Sequence, residues 1–475
     1  MNASRRTLYG LLSLSLLCLG TPSLTAQNQG DSSSAATATD VSKKVDELQK
    51  ELESLQAQIA DLKKQQATAT AAPAASSAAT AAATPTSATT AVATPAPASA
   101  PAAAPAPSTL ASVLGPISIT GFVDGNYGYN FEHPHDNAPS VLPGNPSTGL
   151  SGLRAFDSPY SQLSLNAIEM ILDKAPDANN SRIGYHLALG AGNGINVVGS
   201  TEPGGLGYLQ YVKEAYGSYL APVGKGLQID FGKFVTPNGA EVIESKDDWN
   251  YSRGLLFTYA IPFYHFGLRA KYAFSDKYSL TAYVVNGWNN VVDNNTGKTF
   301  GLSFGWNPNK KVGFTETYMA GPEEANNNSN IRQLWDNVIT YSPTSKLSFI
   351  LNTDYGRGDR FFTYTNPVWW SGVAGYVRYQ FNDSYALSTR YEYYDDPSGY
   401  TTWLTPSSSF PNPVGQHINE ITETFERKIH GNFITRLEYR RDMASRPTLF
   451  KGTTPVNYQD TLEAGLIYTF DLKEH

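Results

Sequence analysis

Between residues 117 and 472 the chain repeats one pattern: segments of about ten residues in which apolar and polar side chains alternate, each closed by a cluster of turn residues. A period of two puts successive side chains on opposite faces of a strand, so the repeat predicts strands with one dry face each. The first, 117–131, sets Ile117, Ile119, Val123, Tyr127, Tyr129 and Phe131 against Ser118, Thr120, Asp124 and Asn126. Farther on, Leu163, Leu165 and Ala167 oppose Ser164 and Asn166, and Phe266, Leu268, Ala270, Tyr272 and Phe274 oppose His265, Gly267, Arg269 and Lys271. The connections narrow the choice. Short ones at 176–180, 222–225, 275–277, 307–310, 342–345, 382–384 and 430–432 alternate with long ones at 132–161, 191–208, 235–263, 288–298, 320–333, 356–370, 395–415 and 442–457. A soluble sandwich does not sort its loops by length between its two ends. An even-numbered antiparallel membrane barrel does, with brief periplasmic turns and long extracellular loops. The expected fold class is all-β: a transmembrane antiparallel β-barrel of about sixteen strands, or eighteen if 253–261 is itself a strand.

Composition agrees. Mean hydropathy is −0.33, only 16% of residues are charged, and no run reaches the 18 or more apolar residues of a spanning helix. A bundle of membrane helices is excluded. Every aromatic residue except Tyr9 lies at or after Phe122, where rings at strand ends form the interfacial girdles of a barrel.

The first quarter reads differently. Arg5 and Arg6, an apolar run at 8–19 and the small-residue site ending at Ala26 predict a cleaved secretory signal over 1–26. Cys18, the single cysteine, falls inside that run behind Leu17, where a lipidation site needs a small residue, so the mature chain is expected to lack thiols. The net charge of −7 becomes more negative once two arginines are lost, which disfavours a nucleic-acid partner. Residues 27–39 are expected to be disordered. Within 40–66, Val41, Val45, Leu48, Leu52, Leu55, Ile59 and Leu62 step by four and three as the seam of a periplasmic coiled coil, and so short a helix implies self-association. Residues 67–112, almost wholly Ala, Pro, Thr and Ser, have nothing to bury and read as a disordered tether; 113–475 is the barrel.

The last strand ends on Gly465-Leu466-Ile467-Tyr468-Thr469-Phe470. This resembles the glycine-then-aromatics signal by which outer-membrane barrels are passed to their assembly machinery, displaced from the terminus by five residues, with Gly465, Tyr468 and Phe470 as its key positions. Together with Ile119-Thr120-Gly121-Phe122, Phe231-Gly232-Lys233-Phe234, Asn250-Tyr251-Ser252-Arg253 and Pro262-Phe263-Tyr264-His265-Phe266-Gly267-Leu268-Arg269, it makes the segment 117–471 resemble the OmpL-like β-barrel porins. The resemblance implies a pore in the outer membrane of a Gram-negative-type bacterium and supplies no substrate. Anion-selective porins of similar plan also carry an amino-terminal coiled coil, so a trimer is expected, with outer-membrane lipid around it and the cell wall as a candidate partner of the stalk.

A barrel this wide needs an internal element to discriminate among solutes. The third long connection is the candidate: it holds Glu241, Glu244, Lys246, Asp247, Asp248 and Arg253 and then the apolar run 255–261, unusual in a surface loop. In similar porins this loop folds inward. Its charges would border the eyelet while Arg269, Lys271, Arg378, Arg390, Arg436 and Arg440, with Asp230, Glu392 and Glu438, line the wall and set up a transverse field. The alternative role for those wall charges is mutual pairing that stiffens the barrel. No P-loop, nucleophile elbow or zinc-helix motif is present. Gly190-Ala191-Gly192-Asn193-Gly194 is expected to lack the helix that phosphate cradling needs, and His133 with His135 reads as a solvated loop rather than a metal site. No cofactor, metal or enzyme activity is expected. The function expected is passive diffusion of small hydrophilic solutes or ions; the alternatives are an envelope tether and a rim hydrolase, for which only His186, His265 and His417 lie on or beside strands.

Overall fold

The computed structural model describes residues 115, 117–134, 151–200, 202, 207–359, 366–402 and 415–472. The predicted signal, coiled coil and tether lie outside the described residues, as does His135.

Sixteen antiparallel strands close into one barrel. In chain order they are β1 (Ser118–Asn130), β2 (Leu163–Lys174), β3 (Ile183–Ala191), β4 (Val212–Ala221), β5 (Leu227–Val235), β6 (Tyr264–Ala273), β7 (Tyr278–Val285), β8 (Thr299–Asn309), β9 (Val312–Glu324), β10 (Asn327–Tyr341), β11 (Leu347–Gly358), β12 (Val368–Asn382), β13 (Tyr385–Asp396), β14 (Gln416–Ile429), β15 (Phe433–Ala444) and, after the small hairpin β16 (Leu449–Lys451) and β17 (Thr454–Val456), β18 (Tyr458–Leu472). Each barrel strand pairs with its sequence neighbour, and β1 closes on β18 from Ile119↔Leu472 to Asn130↔Thr461. Closure leaves no open edge, which a sheet in hydrocarbon cannot tolerate. Among the described residues no helix is long and apolar enough to cross a membrane.

Burial is inverted relative to a water-soluble domain. Outward side chains are apolar and exposed, as at Phe300 (61%) and Leu466 (53%), whereas Asp124, Arg390, Glu392 and Arg440 on the inward face are fully buried. The alternation in the sequence assigns these faces correctly on β6, β8, β13, β15 and β18. It fails at Ala167. A bulge shifts the β1–β2 register between Asp124↔Ala167 and Gly125↔Leu165, so Asn166 and Ala167 both turn inward and the parity of the strand flips at that point.

Three further expectations are corrected. The stretch 320–333 is no long loop: β9 and β10 continue to Glu324 and Asn327, and the chain reverses at Asn326 with φ 59°. Alternation fades there because Ala325, Asn326, Asn328 and Ser329 at the tip are all exposed and no apolar face marks the strand, so the polar run at 326–330 hides the start of β10. Residues 253–261 are no strand either; Leu256–Ala260 form one π-helical turn inside the barrel, which fixes the barrel at sixteen strands. A helix does follow Gly192: α1 (Asn193–Gly199) buries Ile195, Val197 and Val198.

Candidate functional site

The interior is built by two long connections that fold back between the strands. The third, 236–263, carries the apolar residues Leu255, Leu256, Phe257, Ala260 and Ile261, which pack in one cluster with Trp370, Tyr376 and Tyr394 from the wall and Phe156 from the first connection. Trp370 Nε1 donates to the Ala260 carbonyl oxygen at 3.1 Å. An apolar run in a polar loop is explained by this: it has a dry surface to meet, and burying it removes the loop from water.

The charged wall residues hold the backbone of that loop. Glu438 on β15 accepts from the backbone N–H of Tyr251 (2.5 Å) and Ser252 (3.0 Å). Glu392 on β13 accepts from the N–H groups of Leu255 and Leu256. Arg390 donates to the Ser252 carbonyl and to Glu241, each at 2.6 Å, while its Nε meets Glu420 at 2.7 Å. Arg436 donates to the carbonyls of Ser245, Asn250 and Asp248 and to Glu426, and Arg440 donates to the Arg253 carbonyl at 2.7 Å and to Asp442. A loop has no ladder to satisfy its peptide groups, and buried peptide groups need partners. Here the wall's charges are those partners.

Within the loop, Glu241 accepts from the Gly254 N–H at 2.6 Å. Arg253 turns back to the carbonyls of Tyr251 and Ile243 and lies over the Phe156 ring at 4.8 Å. Glu244 pairs with Lys213 of β4, which also meets Glu169 at 2.7 Å. Lys246 and Asp247 pair with each other at 2.5 Å beside a recess of about 720 Å³ that Lys428 and His430 also line. The remaining wall residues lie away from the loop. Arg269 pairs with Asp230 at 2.6 Å and stacks on Tyr216 and Phe234; Arg378 pairs with Glu426 at 2.6 Å; Lys271 is exposed.

Burial pushes the Asp248 carboxyl well above the usual carboxylate range, and Glu241 adds to this against Arg253 and Arg436. A carboxyl that holds its proton more tightly when docked than when free favours docking at low pH, and that contribution is lost as pH rises through the raised value. The loop is therefore expected to loosen as pH climbs above the ordinary carboxylate range. Open-channel current noise should rise with pH over that window, and Asp248→Asn should flatten the dependence.

Several anchoring residues escape a reading of the sequence. Tyr251 donates from its hydroxyl to Asp124 at 2.8 Å, and Ser245 donates to the same carboxylate at 2.6 Å. The Tyr251 ring approaches β18 at Gly465, where a Cβ would stand 2.4 Å from it. In the first connection, Arg154 pairs with Asp157 and with Glu463 of β18. Burial opposes the Asp157 charge, yet Arg154 holds that carboxyl well below its usual range. The available signal is weaker than at 255–261: Leu153-Arg154-Ala155-Phe156 sets three apolar residues around one arginine.

The three strand histidines are accounted for. His186 meets Asp173 at 2.8 Å and stacks on Tyr216. His265 bonds to the Gly287 carbonyl at 2.8 Å. His417 stacks on Tyr393 on the outward face. Among the described residues no group of three or more metal-ligating side chains occurs.

The family described as "Putative beta-barrel porin-2, OmpL-like" matches residues 116–470. No curated protein matches. Among solved structures, the chain is similar to the anion-selective porin from Comamonas acidovorans (9% identity, 75% of this chain and 99% of that one, TM-score 0.48). It is also similar to OprB of Pseudomonas putida (10%, 75% and 94%, 0.48) and to the outer-membrane channel DcaP of Acinetobacter baumannii (11%, 74% and 97%, 0.46). The family match runs from the edge of β1 to the last turns of β18, the whole of the closed barrel, and the chain belongs to the OmpL-like β-barrel porin family of outer-membrane channels.

Proposed function

We propose that the chain is a passive diffusion porin for small hydrophilic solutes or ions, without enzymatic activity, whose passage is narrowed by the third connection. The observation that carries this reading is the inward fold of 236–263, suspended from Glu392, Glu438, Arg390, Arg436 and Arg440. A segment tied by its backbone to wall charges occupies a fixed place in the bore, so the space beside it has a fixed width. Glu241, Glu244, Asp248 and Arg253 then serve mainly to hold the constriction, and Lys246, Asp247, Lys271 and Arg378 face solutes from the periplasmic side. Paired charges of both signs there favour hydrated, dipolar solutes over apolar ones. In the same proposal, residues 1–26 direct export, 40–66 form a periplasmic self-associating stalk that reaches toward the cell wall, and 67–112 tether it to the barrel. Gly465, Tyr468 and Phe470 present the strand that the assembly machinery recognises.

Planar-bilayer recording tests the reading. Folded, heat-modifiable barrel is expected to insert with discrete, salt-dependent conductance steps, and reversal potentials under a salt gradient give its ion preference. Absence of conductance from barrel shown to be folded would overturn it.

A further inference from the structure

Most of the charge on the third connection is turned away from the passage. Glu241, Asp248 and Arg253 are buried, and the exposed pair Lys246 and Asp247 neutralise each other. The side chains left open toward the lumen include two apolar ones, Val242, which is 40% exposed, and Trp249, which is partly exposed. Trp249 is held from both sides. Arg436 donates to the carbonyl oxygens of Asp248 at 2.6 Å and Asn250 at 3.1 Å, the residues before and after it. Asn250 also donates from its side chain to Thr424 of β14 at 2.7 Å. The Trp249 ring meets that of Tyr376 on β12 edge-on, with centroids 6.5 Å apart. A ring with its backbone pinned and one edge packed keeps the rest of its surface for another occupant.

Toward the periplasm from this ring stands a group of cations. Glu426 follows Thr424 by two residues on the inward face of β14. Among the described residues it is the one carboxylate paired with Arg378 at 2.6 Å, Arg436 at 2.8 Å and Lys428 at 3.9 Å. Glu426 and Arg436 are buried, whereas Arg378 keeps 13% and Lys428 42% of its side chain in contact with water. The side of the group that meets the lumen is therefore positive. Arg378 follows Tyr376 by two residues on β12 and so shares its face, about 7 Å farther along the strand. Lys428 opens onto the recess of about 720 Å³ where Lys246, Asp247, His430 and Asp471 also stand. Cations that outnumber their carboxylate raise the local concentration of anions.

We propose that Trp249, Arg378 and Lys428 form a subsite for small organic anions with a flat apolar body, an aromatic carboxylate being the type. The flat body lies against the open surface of Trp249, and the carboxylate takes charge-assisted hydrogen bonds from the guanidinium of Arg378 and the ammonium of Lys428. A sugar is a poorer fit, because its hydroxyl hydrogens need acceptors and Glu426 is already shared by three cations. An aromatic cation would gain the ring contact and meet like charge beside it. The inference rests on the porin reading and names a solute class for it.

The full chain in planar bilayers tests it, with benzoate, acetate and benzylammonium as probes against a potassium chloride current. Benzoate is expected to interrupt the current in events about ten times longer than those of acetate, which lacks the ring, or of benzylammonium, which reverses the charge. Trp249→Ala should shorten the benzoate events about tenfold, and Trp249→Phe should keep most of their length. Lys428→Gln, which removes an exposed charge without touching a ladder, should shorten them about threefold, whereas Lys310→Gln on the β8–β9 turn leaves them unchanged. Benzoate events no longer than those of either other probe overturn the proposal, as do events that resist Trp249→Ala or Lys428→Gln, or that shorten equally in Lys310→Gln. If Trp249→Ala does not fold, the two lysine variants decide. If folded wild type carries no potassium chloride current, the channel reading is what fails. Calorimetric titration of the same folded barrel with the three probes then reads the subsite directly, and failure to prefer benzoate overturns it.

Discussion

Replacing Arg390 by alanine is expected to raise single-channel conductance several-fold and to make the current noisy. Arg390 is wholly buried and ties three things together: the Ser252 carbonyl and Glu241 of the third connection, and Glu420 of the wall. Without the guanidinium, Glu420 keeps Arg440 at 3.1 Å and Ser252 keeps its N–H bond to Glu438, but the link from Glu241 to the wall and the anchor on the Ser252 carbonyl are gone. Removing one partner of a buried, hydrogen-bonded charge pair costs about 3–5 kcal/mol, mostly because the other charge stays unpaired. The docked loop can avoid that cost by leaving the wall, where Glu241 regains water. The strands do not depend on Arg390 for their ladder, so heat-modifiable migration should be retained. A folded Arg390→Ala barrel with wild-type conductance would show that the loop does not set the width of the passage.

Gly465→Ala is expected to produce the second large effect, and its cause can be isolated. The new Cβ would lie 2.4 Å from the Tyr251 ring, so the ring must move and its hydroxyl bond to Asp124 is strained or lost. Overpacking of this kind costs about 1–3 kcal/mol. If the glycine is there to admit Tyr251, the double variant Gly465→Ala with Tyr251→Ala should recover part of the loss in the urea midpoint, a positive coupling between the two sites. If Gly465 acts only in recognition by the assembly machinery, the variant should fold normally from urea into liposomes, be poorly inserted in cells, and gain nothing from Tyr251→Ala. The two roles predict opposite results in the purified system.

Much of the wall was legible because each strand declares its own faces locally. Phe266, Leu268 and Ala270 against His265, Arg269 and Lys271 need no knowledge of neighbours, and the same holds for Leu437 and Tyr439 against Arg436, Glu438 and Arg440. The pattern breaks wherever a neighbour intervenes. Ala167 changes sides because β1 imposes a bulge on β2. Strand pairing of β9 with β10 beyond the apolar band leaves no alternation to read at 326–330. The third connection announced its burial through its apolar run, but not what it would touch.

The sequence by itself therefore determined an antiparallel barrel of about sixteen strands, with eighteen left open, an apolar exterior, a polar lumen and one connection too apolar to stay in water, since period and composition are local properties. What only the tertiary structure decided is the use of the lumen charges. Arg390 lies more than a hundred residues from Ser252, and Glu438 lies still farther from Tyr251; alternation says that these side chains point inward, and nothing about what stands opposite. Closure of β1 on β18 sets that opposition, and a loop with unpaired peptide groups then takes the charges as its hydrogen-bond partners, because inside the barrel there is little else to satisfy them.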